Sequence, residues 1–200
     1  MIKSRNDLNS ILLLDSRNYP HVRKSFSNFL YNIKQTPISD QTLIWQYIKT
    51  LRLAEYYTNN TDILSKICRL WYYRKLRKLS YKTGYQIPPN TIDGGLTIYH
   101  WGFIIINPAV RIGKNFTCEQ GIVIGSKEDY GPVPIIGDNV TINGGARILG
   151  GIKIGNDVII GANSIVIHDV PSHTIVAGIP AKIIKRRNPN SNKWEPVRKE

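Results

Sequence analysis

From Ile106 onward the chain counts in sixes, and nothing else in it constrains the fold as tightly. The blocks read Ile106-Asn-Pro-Ala-Val-Arg, Ile112-Gly-Lys-Asn-Phe-Thr and Cys118-Glu-Gln-Gly-Ile-Val. After an interruption they resume at Ile136, Ile142, Ile148, Ile154, Ile160 and Val166. An aliphatic side chain leads almost every block, usually followed by a small or turn-forming residue. A fixed short period of this kind marks a parallel β-helix, because no ordinary sheet requires it. Six residues make one short strand and one turn. Three blocks close a triangular coil of about eighteen residues, stacked about 4.8 Å from the next. The leading Ile or Val points inward onto its equivalent, and Gly, Asn and Asp suit the corners, where positive φ is cheap for them.

Residues 1–83 lack the count. Leu43, Ile44, Tyr47, Ile48 and Leu51 fit one helical face, and Ile63, Ile67, Leu70, Trp71, Leu76 and Leu79 fit a second segment. Residues 37–40 offer a loop and helix cap, and shorter apolar stretches at 11–14 and 26–33 indicate further helices. Pro88-Pro89 is expected to end helical structure. The expected division is a helical region over 1–83, a β-helix over 84–185 and a basic tail over 186–200 that extends away from the stack. The fold class is mainly β, a left-handed parallel β-helix under an N-terminal helical cap, the handedness coming from the resemblance described below. Residues 126–134 break the repeat and read as an extruded loop, a place where repeat folds carry binding residues.

The chain has 27 basic and 14 acidic residues. That balance permits an anionic cofactor, an anionic membrane surface or nucleic acid, but no nucleic-acid motif accompanies it. In the second helical segment, Lys66, Arg69, Arg74, Lys75, Arg77, Lys78 and Lys82 interleave with Trp71, Tyr72, Tyr73 and Tyr81. This reads as a solvated face with a packed aromatic stripe, or as peripheral contact with an anionic bilayer or a lipid-linked substrate. Two cysteines, Cys68 and Cys118, make no disulfide scaffold or metal spacing. With a polar N-terminus and no span-length apolar run, the expected location is cytoplasmic, with the inner face of the membrane as an alternative.

The repeats resemble the hexapeptide-repeat acyltransferases, in the branch that contains serine acetyltransferases and the O-acetyltransferases of bacterial polysaccharide gene clusters. The resemblance rests on residues 96–107, Leu-Thr-Ile-Tyr-His-Trp-Gly-Phe-Ile-Ile-Ile-Asn, on Ile112-Gly-Lys-Asn, and on Gly178-Ile-Pro-Ala-Lys-Ile-Ile. It implies a left-handed coil, a homotrimer with clefts between subunits, and acetyl-CoA lying along the prism wall. Gly144, Gly145, Gly161, Ala162, Ala177, Gly178 and Lys182 match that wall and its closing segment. Tight corners also need Gly and Ala, so packing explains the same residues. Lys182, Lys185, Arg186 and Arg187 meet CoA phosphates or form a solvated tail.

His100 matches the position of the branch's catalytic histidine. Imidazole, with an unperturbed pKa of about 6.5, suits a base that takes a hydroxyl proton at neutral pH. Counting back from Ile106 puts His100 in a leading slot, where a strict prism would point it inward, so either the first coil is distorted there or the ring is placed at the edge of a cleft. Backbone amides near Gly144 and Gly145 are candidate oxyanion donors. Asp93 and Glu119 are candidate orienting carboxylates, Glu119 also being the reserve catalytic residue. The branch's partner aspartate is missing, Gln86 standing nearest its place. No metal is expected, since His21, His100, His168 and His173 are too scattered for a shared zinc site.

Serine acetyltransferases of this branch carry Asp before the catalytic His and a second His before the resumed repeats. Here those places hold Tyr99 and Val133. The loss of two polar contacts turns the expectation toward a sugar hydroxyl on a bacterial surface or capsular glycan, or on its lipid-linked precursor. Serine O-acetyltransferase of cysteine biosynthesis and a non-catalytic scaffold are the alternatives.

Overall fold

The structure is a computed structural model that describes residues 1–19 and 40–197. The apolar stretch at 26–33, His21 and residues 37–39 of the expected loop lie outside the described residues. Helix α1 spans Arg5–Asp15. Ser4 Oγ accepts from the Asp7 N–H at 3.0 Å, and Asp7 Oδ2 accepts from the Ser4 N–H at 2.9 Å. This reciprocal cap satisfies two amides that the first turn would otherwise orphan. Helix α2, Asp40–Asn59, fully buries Ile44, Tyr47, Ile48 and Leu51, the face that the spacing predicts. Helix α3, Ile63–Thr83, starts on Asp62, whose side chain accepts from the Ser65 N–H at 2.9 Å. Gly84 ends it in the left-handed region, φ 81°. The helix is therefore stopped by glycine, and the chain has entered its first strand before Pro88-Pro89 is reached.

One expectation for α3 fails. Leu76 and Leu79 are buried, but Ile63, Ile67, Leu70 and Trp71 are exposed. At about 100° per residue the two groups sit on opposite sides of the helix, so they never formed one face.

The prism has three faces. The first stacks β1 (Tyr85–Gln86), β3 (Ile104–Ile106), β6 (Val123–Gly125), β9 (Arg147–Leu149) and β12 (Ile165–Val166). The second stacks β4 (Arg111–Ile112), β7 (Ile135–Ile136) and β10 (Lys153–Ile154). The third stacks β2 (Thr97–Ile98), β5 (Thr117–Cys118), β8 (Thr141–Ile142), β11 (Ile159–Ile160) and β13 (Thr174–Gly178), all parallel. The leading residues form inward columns. Ile98, Cys118, Ile142, Ile160 and Val176 fill one, and Ile106, Ile124, Ile148 and Val166 another. Each such aliphatic side chain is almost wholly buried, which stabilises the fold by about 1.5–3 kcal/mol per residue relative to exposure. Burial also pushes the Cys118 thiol well above its ordinary range, so it is an inert column member.

The end of the chain does not extend away from the stack as expected. After Gly178 it reverses into β14 (Ala181–Arg187), antiparallel to β13, and β15 (Trp194–Pro196) pairs antiparallel to β14. Along β14, Ala181 and Ile183 pack on the core while Lys182, Lys185 and Arg186 are exposed.

The helical cap closes the lower end by hydrogen bonding. The Tyr19 hydroxyl donates to Ile98 O at 2.9 Å and accepts from Ile98 N–H at 2.7 Å. Tyr47 serves Ile87 in the same way, at 3.4 and 3.3 Å. Burial pushes the Tyr47 phenol up to about 12, so it stays a donor at any ordinary pH. Asp15 Oδ1 accepts from the Gly95 and Leu96 N–H groups, at 2.7 and 2.8 Å. Arg52 pairs with Asp15 at 2.7 Å and Glu55 at 3.0 Å, and donates to Ile92 O and Asp93 O. Burial alone would lower the Arg52 pKa, but the two carboxylates outweigh it and hold the group charged. Apart from the two Arg52 ion pairs, each of these contacts meets a backbone group of the first coil.

Candidate active site

The three edges of the prism differ. The edge between the second and third faces carries side-chain ladders. Asn115 Nδ2 donates to Asn139 Oδ1 at 2.9 Å, and Asn139 Nδ2 donates to Asp157 Oδ1 at 3.2 Å. All three adopt φ of 55–56°, the left-handed corner that short amide and carboxylate side chains tolerate. The edge between the first and second faces carries the extruded loop, whose Tyr130 is fully exposed. The third edge, from the third face to the first, carries His100.

Column spacing locates the irregularities. Ile98 pairs with Cys118, twenty residues on, whereas Ile142 and Ile160 are eighteen apart. Ile106 and Ile124 keep the regular step, so the two extra residues fall between Ile98 and Ile106. They form a bulge in which Tyr99, His100 and Trp101 are all exposed. The leading slot belongs to Ile98. His100 is therefore not an inward-pointing residue in a regular coil; the distorted-coil alternative is the one adopted. The second irregularity spaces Ile124 and Ile148 twenty-four apart, and it belongs to the loop before β7.

His100 is anchored through its backbone. The Tyr85 hydroxyl donates to His100 O at 2.9 Å. Tyr85 is itself buried, its ring edge-on to Tyr47 at 5.0 Å, and burial raises its phenol pKa. Gly84, from the α3 cap, and Gly102, with φ 138°, let this coil approach the one above, where a Cβ on Gly102 would sit 2.9 Å from Gln120 Cβ. Among the described residues no side chain hydrogen-bonds the imidazole.

The remaining candidates divide. Tyr99, Glu119, Asn143, Gly161 and Ala177 follow paired column residues, so His100, Glu119, Gly144, Gly145, Gly161, Ala162, Ala177 and Gly178 share one edge. Glu119 Oε2 accepts from the Gly144 N–H at 2.8 Å, so it reaches to the coil above and away from His100. The Gly145 N–H donates to Gln120 O at 3.0 Å. Both proposed oxyanion amides are thus already engaged. Asp93 lies at the corner between the second and third faces, where its carbonyl meets Arg52. Gln86 pairs with Ile105 on the first face, one strand below. Stacking alone requires several small residues: a Cβ on Gly161 would sit 2.9 Å from Ala177 Cβ, and one on Gly145 would collide with Asn163. Gly178 differs. Its φ of 103° demands glycine, yet a Cβ there would find only Pro180 O, at 3.6 Å. Backbone open to a ligand is found there, beside exposed Ala162 and Lys182. Sequence reading missed Tyr85; a tyrosine just after a helix-ending glycine gave no signal of its role.

Among the described residues no three His, Cys, Asp or Glu side chains converge on a metal position. No described helix is long and apolar enough to cross a membrane.

These features define a class. The profile described as "Bacterial transferase hexapeptide (six repeats)" matches residues 134–168, within the regular part of the prism. The chain carries hexapeptide repeats of that kind and is similar to serine acetyltransferases. It is 44% identical over 117 residues to a serine acetyltransferase of Staphylococcus epidermidis, covering 56% of this chain and 55% of that one. With a serine acetyltransferase of Staphylococcus aureus it shares 45% identity over 107 residues, 52% of this chain and 50% of that one. The chain thus spans about half the length of the curated relatives it matches. The serine acetyltransferase structure from Brucella abortus strain S19 superposes with a TM-score of 0.69 at 24% identity, covering 90% of this chain and 70% of that one, which shows the shared fold. A second structure of that protein is in complex with coenzyme A.

The relatives correct the expected acceptor. Tyr99 and Val133 favoured a glycan, but the similar proteins are serine acetyltransferases. The geometry explains the misreading. Tyr99 is exposed on the bulge, and Val133 packs against the core.

Proposed function

We propose that this chain is a serine O-acetyltransferase that takes its acetyl group from acetyl-CoA, with His100 as general base. The observation that carries the reading is the 44% identity with the S. epidermidis protein. Any contiguous stretch covering 56% of 200 residues must include roughly residues 89–112, and so the His100 bulge. The reading includes the division into a helical cap to residue 83, a prism over 84–185 and a basic segment after it.

Acetyl-CoA supplies the acetyl thioester. The backbone strip at Ala177 and Gly178 lets the pantetheine arm approach, and Lys182 meets a CoA phosphate. His100 takes the serine hydroxyl proton as the new C–O bond forms, and returns it to the departing thiolate. Exposure of the bulge supports this role, since the imidazole is open to two substrates. Glu119 holds the Gly144 turn in place, which makes it a positioning residue for the strip.

The assembly in this reading is a homotrimer. The 126–134 loop and His100 lie on different edges of one prism, so a loop completes a His100 site only when it comes from a neighbouring protomer. Purified protein is to be assayed for thiol release from acetyl-CoA with L-serine and with a saccharide panel. Turnover with L-serine alone is expected. Absence of turnover with L-serine overturns the assignment, and a lone mass of one chain in light scattering overturns the trimer.

A further inference from the structure

The outer side of α3 is unlike the rest of the surface. Only Ser65, Leu76, Leu79 and Thr83 of the helix are buried, and they cluster on one side. The opposite side is apolar in its first half: Ile63, Leu64, Ile67, Leu70 and Trp71 are between 55% and 78% exposed. Five large side chains in one exposed patch are more than scattered surface apolarity. The second half of the same side turns basic, through Arg74, Lys75, Arg77 and Lys78, with Tyr81 exposed among them. The helix contains seven Lys and Arg and no acidic residue. Among the described residues none of the seven makes a salt bridge.

Two of the cations lie against aromatic rings. Lys75 Nζ stands 5.2 Å from the Trp71 ring centroid, and Arg77 stands 5.9 Å from that of Tyr81 while its Nε donates to the Tyr81 hydroxyl at 2.9 Å. Trp71, Arg74, Lys75, Arg77, Lys78 and Tyr81 together line an open groove of about 430 Å³. Aromatic bodies with cationic tips match an interface that is apolar below and anionic above.

We propose that the outer face of α3 docks the protein on an anionic lipid bilayer. The apolar first half enters the boundary between headgroups and acyl chains, and the basic second half meets the headgroup phosphates. A second copy fits less well, because the same face would bring four further cations against Arg74, Lys75, Arg77 and Lys78.

The test uses the full-length protein with sedimentable vesicles, of phosphatidylcholine alone or of equal parts phosphatidylglycerol and phosphatidylcholine. Binding is expected to the mixed vesicles only, and to weaken as salt rises. A Lys75→Glu, Lys78→Glu variant should lose about tenfold or more in partition, as should an Ile67→Ser, Trp71→Ser variant, both keeping the parent's melting temperature and acetyl transfer. No binding to mixed vesicles, or equal binding to both kinds, overturns the proposal. So does unchanged partition of either variant once its melting temperature shows it folded. A concentration-dependent increase in mass that Ile67→Ser abolishes gives the face to a second copy instead. A short RNA duplex that binds this face and displaces the vesicles gives it to nucleic acid.

Discussion

Two edges of one prism are built from the same repeat and behave differently. On the ladder edge the corners at Gly137 and Gly155 each have a glycine, then a side chain that accepts from the coil below, then a residue with positive φ. The Lys114 N–H donates to Asp138, the Asp138 N–H to Asn156 and the Asn156 N–H to Ser172, at 2.7–2.9 Å. On the His100 edge the first corner holds two extra residues and four exposed ones, Tyr99, His100, Trp101 and Phe103. Where polar groups are used up in stacking, no chemistry is available. Where the stack is interrupted, a side chain is released from it. The regular edge sets the spacing, and the irregular one uses it.

Substitutions on either edge test that contrast. The largest effect belongs to His100→Ala, which should lower turnover by about 10²–10⁴-fold with CoA binding nearly intact, measured by thiol release and calorimetry. Near-normal turnover would return His100 to a structural role. Arg52→Ala comes next. It strands the Asp15 and Glu55 carboxylates beneath the lower end of the ladder edge, and should cost about 3–5 kcal/mol in denaturant unfolding. A loss below that of an exposed ion pair would break the idea that the cap closes the coil.

Gly137→Ala should cost about 1–3 kcal/mol, since its Cβ would press on Gly155 C at 2.9 Å and Asn156 N at 3.0 Å. The matching change at Gly178, on the other edge, meets no such wall, and there the left-handed φ alone should show in thermal melts. Smallest is Tyr85→Phe. Loss of one hydrogen bond to His100 O should reduce kcat about 2–10-fold, with KM for acetyl-CoA and the melting temperature little changed. An equal fall in stability with unchanged kcat would make Tyr85 a packing residue only.

The repeat made the prism legible, because inward columns require aliphatic residues at a fixed step. The step itself revealed the loop at 126–134 as a gap. It misplaced His100, since counting back from Ile106 assumes a step of six where the step from Ile98 is eight. The acceptor was misread at Tyr99 and Val133 because a residue type says nothing about which way a side chain turns. Helix α3 was misread for a related reason: apolar spacing identifies a helix, but which arc it buries depends on the neighbour. The tail's return as β14 was hidden by its charge, since the alternation of Ala181 and Ile183 with Lys182 and Ile184 is short and half-exposed.

Both departures from the period sit at corners and leave every strand in register above and below them. An insertion within a strand would turn each later side chain to the wrong face. At a corner, added length changes only how far the chain reaches outward. Loop growth and loop loss at these points are therefore changes that such a molecule can accept singly, with no compensating change elsewhere in the stack. A library of corner lengths at residues 99–103, with the strands untouched, is the natural place from which to select altered acceptor choice.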